Sequence, residues 1–246
     1  TSSASRHMLH DIVWASMIDL PTTTPILTEI FGSSDYWVWG SGGDLCLPGA
    51  IEYQHLHADI KDSQQLLEAR IQQAEALDVQ LSRNSIGELN VPIQKLVMEM
   101  TAPMVTINFL MSNLSWENGP IRQIPGTHTL EQSPPPLVDE PEWMRLSTLV
   151  GAPAGAGVFR DNRAWHGATP NLSKEVRALP NVEYAAPWRP PQDFEKTMPH
   201  SIWETLTPHA QRLCKFVKSE RGVWPAGAGI MHPLASKQRD ALKVDG

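Results

Sequence analysis

Tyr53-Gln54-His55-Leu56-His57-Ala58-Asp59 is the stretch on which the reading of this chain turns. Side chains alternate between the two faces of an extended strand, so a strand here points His55, His57 and Asp59 the same way. An imidazole and a carboxylate two residues apart converge on a point between their tips. One rigid element can then fill two coordination positions of a metal ion. Taken alone the pattern is weak, because a His–Asp hydrogen bond on a solvent-facing strand explains it more simply.

A second stretch adds weight. Gly157-Val158-Phe159-Arg160-Asp161-Asn162-Arg163-Ala164-Trp165-His166-Gly167 sets a histidine beside a glycine at a strand end, and Arg177 follows after a turn at Pro170-Asn171. If the two flanking strands pair as a hairpin, His166 and Arg177 project into one cavity. A His-x-Asp with a distant His is the two-His, one-carboxylate set that binds Fe(II) on one face and leaves the other open. The planar fork of an arginine pairs with a carboxylate through two charge-assisted bonds, so Arg177 in such a pocket suits a dicarboxylate. The other reading of Arg177 is a surface salt bridge with Glu175 or Glu183. Between these stretches, Asn118-Gly119 signals a tight turn between strands and Pro125-Gly126 a second turn. His128 is either a rival ligand or a hydrogen-bonding partner around that turn.

The 246 residues suit one domain of a β-rich barrel. Hydrophobic residues at 41% and charged residues at 19% exclude collagen, coiled coil and wholesale disorder. A formal charge of −7 lacks the field that nucleic acid or anionic lipid attracts, so neither is expected as a partner. No apolar run reaches the ~20 residues of a membrane helix. Cys46 and Cys214 make no disulfide framework and point to a reducing compartment. With no targeting signal at Thr1–Arg6, which lacks an initiator Met and fits a trimmed N-terminus, a cytoplasmic location is the expectation.

Residues 6–31 read as two short helices, and Tyr36–Trp39 and Ile51–Ile60 as strands separated by a Gly- and Pro-containing stretch at 40–49. Residues 63–83 read as an amphipathic helix, with Leu67, Ile71, Ala74, Leu77 and Leu81 on one face. Met104–Leu114, Met144–Val150, Gly157–Arg160 and Val182–Ala186 read as strands, Ser201–Ser219 as a final helix and Gly222–Gly246 as a tail. The expected architecture is mainly β, with helices at both ends and one helical insertion: a single domain over 1–246, its core at about 20–190.

The chain resembles the phytanoyl-CoA dioxygenase family of Fe(II)/2-oxoglutarate oxygenases. Four blocks carry the resemblance in order: Gln54–Asp59, Glu117–His128, Gly157–Gly167 and Asn171–Arg177. The resemblance implies a double-stranded β-helix, a jelly-roll or cupin-like barrel of two antiparallel sheets. It implies His57, Asp59 and His166 as catalytic iron ligands and Arg177 as the partner of the distal carboxylate of 2-oxoglutarate. Asn108 and Trp39 fall at positions where relatives contact the cosubstrate. The implied cofactors are Fe(II), 2-oxoglutarate and O2. The implied reaction is hydroxylation of an unactivated C–H bond of a small molecule, with release of succinate and CO2. Two features depart from or refine the pattern. Ala168 stands where relatives often carry Ser or Thr, so Thr169 or another group substitutes there or the contact is missing. Asp59 is retained, unlike in halogenating relatives, which carry a small residue at that position.

The helix at 63–83 is a candidate lid, and Trp37, Tyr53, Phe159 and Trp165 are candidates for the cavity wall or the core. Two rival readings are a cupin using His55, His57 and His128, and a non-catalytic barrel used for binding. Absence of a basic cluster near the motifs favours a free metabolite over a CoA ester.

Overall fold

Strands rich in β-branched and aromatic residues on one face, and in small or polar residues on the other, build the larger of two layers. Its strands are β1 (Ser2–Ser3), β2 (Trp37–Cys46), β3 (Met104–Phe109), β5 (Gly157–Asp161) and β7 (Arg177–Ala185). They run β1-β2-β7-β3-β5, every pair antiparallel. The smaller sheet pairs β4 (Ile121–Gln123) with β6 (His166–Ala168). Residues 148–150 run beside β4 through Gln123 N to Thr148 O and Val150 N to Ile121 O. Residues 54–57 run beside β6. This computed structural model describes residues 2–3, 8–61, 64–76, 83, 85–87, 101–129, 132–146, 148–189, 191 and 196–225.

Register separates the two faces of the larger sheet. Val38, Val105, Ile107, Phe159, Val182 and Tyr184 lie on one face, where the 3-10 turn and short helices of residues 8–31 and the helix Pro208–Leu213 cover them. Leu9, Ile18, Leu27 and Leu213 bury themselves there almost completely. Each such side chain contributes about 1.5–3 kcal/mol relative to exposure. The opposite face carries Gly40 across from Glu183, Gly42 and Asn108 across from Asn181, and Thr106 across from Arg160. That polar face turns toward the smaller sheet, and the cavity lies between them.

Several elements differ from the sequence expectation. β2 continues through the glycines to Cys46 rather than ending at Trp39. Glycine is required at Gly43, where a Cβ would stand 3.0 Å from the Cα of Pro180 on the neighbouring strand. Residues 51–60 form no strand. They make only an isolated bridge at His57, because Asp59 N and Ile60 N both turn to the carbonyl of Asn162 and break the register. Glu142–Leu146 is helical, started by Pro141, whose fixed φ suits a first turn. The last helix is two, His200–Trp203 and Pro208–Leu213, interrupted where Pro208 removes a donor.

The helix Gln64–Ala76 buries Leu66, Arg70 and Ala74; of the expected face, Ala74 is buried while Leu67 and Ile71 are only half-buried. Arg70 lies under Trp188, 4.7 Å from the ring centre, and donates to Thr101 O. No described residue of this helix lines the cavity. Leu77, Leu81 and the tail beyond residue 225 lie outside the described residues. No helix among the described residues is long and apolar enough to cross a membrane.

Candidate metal centre

His57 and His166 are placed by backbone pairing. His57 N donates to His166 O at 3.0 Å and His166 N to His57 O at 2.9 Å. Such a pair faces its side chains the same way, and the two ring centres stand 4.2 Å apart. Each ring is oriented by its Nδ1, which meets a carbonyl two residues back: His55 O at 3.1 Å for His57 and Ala164 O at 3.0 Å for His166. Nδ1 is thereby assigned the proton and Nε2 the lone pair, the tautomer a metal ligand needs. Both Nε2 atoms lie 3.5 Å from the same oxygen, Asp59 Oδ1. Among the described residues, His57, Asp59 and His166 are the one trio of such side chains whose ligand atoms all fall within 4.8 Å of one another.

The electrostatics suit a cation. Burial works to raise the Asp59 carboxyl, but the facing His166 and His57 rings and the Arg160 charge outweigh it and hold the group far below the ordinary carboxylate range. Burial lowers His166 and favours the neutral ring. The carboxylate of Asp59 beside it raises His57.

The trio lines a cavity of about 330 Å³ between the sheets. Arg177 lines it too and is 1% exposed, so it is no surface ion pair. Its Nε donates to Gly119 O at 2.9 Å and its Nη1 reaches Asp44 O, while Nη2 is buried without a hydrogen-bond partner. Burial lowers its affinity for its proton. Gly119 makes this possible: at φ 75° it turns the chain, and a Cβ there would stand 3.0 Å from Thr169 O. Asn108 on β3 also lines the cavity, 2% exposed, with Oδ1 unpartnered.

Other expected residues are not brought together. Trp39 is the extra residue where the β2 register shifts. It packs on Trp37 and under Arg189, 4.0 Å from the ring centre, and does not line the cavity. His55 is exposed, on a segment that forms no strand. His128 sits in a 3-10 turn and joins no metal-binding trio, so the His55/His57/His128 set is not assembled. The Thr169 hydroxyl donates to Pro120 O at 2.7 Å, so it does not replace the side chain missing at Ala168. Trp37, Tyr53, Phe159 and Trp165 pack away from the cavity.

Among the lining residues, Arg160, Asp44 and Asn181 had no role expected from sequence, and Glu183 was considered only as a surface partner of Arg177. The alternation of β5 and β7 about Arg177 was the signal that could have found Arg160, Asn181 and Glu183.

The sequence profile of the phytanoyl-CoA dioxygenase family matches residues 50–179, more than half of the chain, and takes in His57, Asp59, Asn108, His166 and Arg177. The chain belongs to the phytanoyl-CoA dioxygenase family. A dioxygenase of Emericella variicolor, andF, is 29% identical over 139 residues, which are 52% of this chain and 46% of that protein. The chain thus spans less than half the length of that family relative. Solved structures similar to this family member include AviO1 from Streptomyces viridochromogenes Tue57, with 16% identity, TM-score 0.49, and 77% of this chain and 68% of that one covered. HygX from Streptomyces hygroscopicus, solved with nickel, 2-oxoglutarate and hygromycin B, has 15% identity, TM-score 0.49, and coverage of 75% and 69%.

Proposed function

We propose that this chain is the catalytic domain of an Fe(II)- and 2-oxoglutarate-dependent dioxygenase that hydroxylates an unactivated C–H bond of a small-molecule metabolite. The carrying observation is that His57 Nε2, Asp59 Oδ1 and His166 Nε2 converge in the same cavity that holds a buried arginine with an unpartnered N–H.

The residues fit the implied groups. Two neutral imidazoles and one carboxylate are the donor set of non-haem Fe(II), and three donors leave coordination positions open. Arg177 would hold the carboxylate of 2-oxoglutarate remote from its keto-acid end, because its unpartnered Nη2 is an unmet donor that an anion satisfies. Asn108 would add a polar contact on the same wall. Iron bound by the trio would supply oxygen activation coupled to oxidative decarboxylation of 2-oxoglutarate to succinate and CO2. The Nδ1 tethers keep both rings aimed inward.

The two layers are read as the two sheets of a double-stranded β-helix, and 1–246 as one oxygenase domain. Buried thiols at Cys46 and Cys214 suit a reducing, cytoplasmic setting. A net charge of −7 fits a small-molecule substrate rather than a nucleic-acid or membrane-surface partner. Succinate formation from 2-oxoglutarate, measured without added substrate, is expected to require Fe(II) and to vanish in Asp59→Ala. Absence of both metal binding and Fe(II)-dependent 2-oxoglutarate turnover in the native chain overturns the reading and leaves a non-catalytic barrel.

A further inference from the structure

Arg160 touches two of the three candidate ligands. It lies on β5 opposite Thr106 of β3, with its side chain 7% exposed. Its Nη1 donates to Asp59 Oδ2 at 2.7 Å. The same nitrogen lies against the His166 ring, 2.6 Å from Nε2 and 2.8 Å from Nδ1. Arg177, the other lining arginine, is engaged elsewhere with the carbonyls of Gly119 and Asp44, so the two guanidinium groups serve different places.

Charge bookkeeping gives this contact its meaning. An ionised carboxylate whose side chain is 30% exposed, beside a His166 ring that burial pushes toward the neutral form, gains from a cationic partner. The guanidinium supplies that partner. A divalent ion bonded to Nε2 of His166 stands about 2.1 Å from it. With Nη1 only 2.6 Å from the same atom, the two cations are less than about 5 Å apart wherever the ion sits around the ring. One carboxylate then faces three positive charges. The guanidinium becomes surplus at His166, although its bond to Asp59 Oδ2 leaves Oδ1 available as a ligand.

We propose that Arg160 is a built-in counter-cation of the metal site: it neutralises Asp59 in the metal-free chain and is displaced from His166 when a divalent ion enters. It therefore holds the metal affinity below what the three ligands alone would give, and it keeps the metal-free site assembled. This rests on the metal-site reading above. A residue that merely positions Asp59 through Oδ2 gives the opposite sign, since its loss loosens a ligand and weakens binding.

The test is anaerobic Co(II) calorimetry on the native chain, Arg160→Gln and Arg160→Lys, with thermal melts of the metal-free forms. The Gln variant is expected to bind Co(II) at least ten-fold tighter than the native chain and to melt lower without metal, with Lys between. Equal or weaker Co(II) binding by a folded Arg160→Gln overturns the proposal. If the Gln variant does not fold, the native chain decides. The side-chain nitrogen resonance of Arg160, assigned with the Lys variant, is expected to shift and exchange faster with one equivalent of Zn(II), and an unchanged resonance at saturating Zn(II) overturns the proposal. A native chain that binds neither ion sinks the metal-site reading itself, and this one with it.

Discussion

His57 and His166 exchange both of their backbone hydrogen bonds, at 3.0 and 2.9 Å, and this pairing sets the candidate metal centre. The imidazoles need no long-range side-chain contact to meet, because the closely bonded pair of an antiparallel ladder aims both side chains to one side. Asp59 then follows within the same irregular segment, and its Oδ1 is equidistant from both rings.

That pairing is vulnerable at Gly167. A Cβ there would stand 3.0 Å from Gln54 O and 3.3 Å from His55 O, both backbone atoms that cannot swing aside. Gly167→Ala is therefore expected to push residues 54–57 away from β6. The cost is about 1–3 kcal/mol of stability, typical of overpacking. Urea denaturation measures that loss, and Co(II) calorimetry is expected to show weaker binding because the two rings separate. A variant as stable as the native chain with unchanged Co(II) affinity would show that the close approach is absent in solution.

Arg177 offers a test of chemistry rather than packing. Arg177→Lys keeps a positive charge but loses the planar fork and the Nε donor to Gly119 O. The affinity of the Co(II)-loaded chain for 2-oxoglutarate is expected to fall about 10- to 100-fold, the 1.5–3 kcal/mol typical of a charge-assisted bond. Co(II) affinity itself is expected to hold, because Arg177 contacts none of the three ligand side chains. Titration of 2-oxoglutarate into both proteins, followed by the cobalt absorption bands, measures the difference, and equal affinities would remove Arg177 from cosubstrate binding.

The site was legible in the sequence to the extent that motif residues carry their own chemistry. His57, Asp59, His166 and Arg177 announce donors or a fork by residue type, and the turn at Asn118-Gly119 brings the Gly119 carbonyl to Arg177. What stayed hidden depends on register. Trp39 lost its expected place because one extra residue in β2 moves it off the cavity, and no local pattern encodes a bulge. Residues 51–60 alternate as a strand should, yet a single acceptor at Asn162 O takes two successive amides and stops the ladder. β2 runs through glycines that read as a turn, because close backbone approach is a tertiary demand. Arg160 carries no motif of its own, and only the pairing of β5 with β3 brings it to the cavity.

Far from the cavity, Asp19 ties the N-terminal helical segment to the C-terminal one. It accepts hydrogen bonds from Thr24 at 3.0 Å, Thr207 at 2.5 Å and His209 at 2.8 Å. Burial pushes its carboxyl upward, but the bonds from Thr207, His209 and Thr24 win and leave it below its ordinary value of 3.8. A carboxyl lowered in the folded state contributes stability that is full above its unfolded value and fades as pH falls through the lowered one. Asp19→Asn is therefore expected to lose about 1–3 kcal/mol at neutral pH, and the gap to the native chain should close in the acid range below 3.8. Denaturation across pH measures it, and a gap that persists unchanged into strong acid would mean the bonds do not depend on ionisation.

The Arg122–Glu140 pair tests how a buried charge supports the site from behind. Both side chains are 0% exposed, and the guanidinium bridges both carboxylate oxygens, with Nη2 at 3.2 Å from Oε1. The same Nη2 donates to Gln54 O, three residues before His57, and so tethers the segment that carries two of the candidate ligands. Removing one partner leaves the other charge buried and unpaired, so Glu140→Ala is expected to cost about 3–5 kcal/mol. Replacing both by apolar groups of similar size removes the stranded charge, and Arg122→Met/Glu140→Leu is expected to recover most of that loss. The tether to Gln54 is not recovered, however. The double variant should therefore fold stably yet bind Co(II) more weakly than the native chain, because residues 54–57 are then held to β6 only by their backbone bonds and the bond from Ala168 N to Gln54 Oε1. Denaturation and Co(II) calorimetry on the two variants separate the effects, and a double variant with native Co(II) affinity would confine Arg122 to a purely packing role.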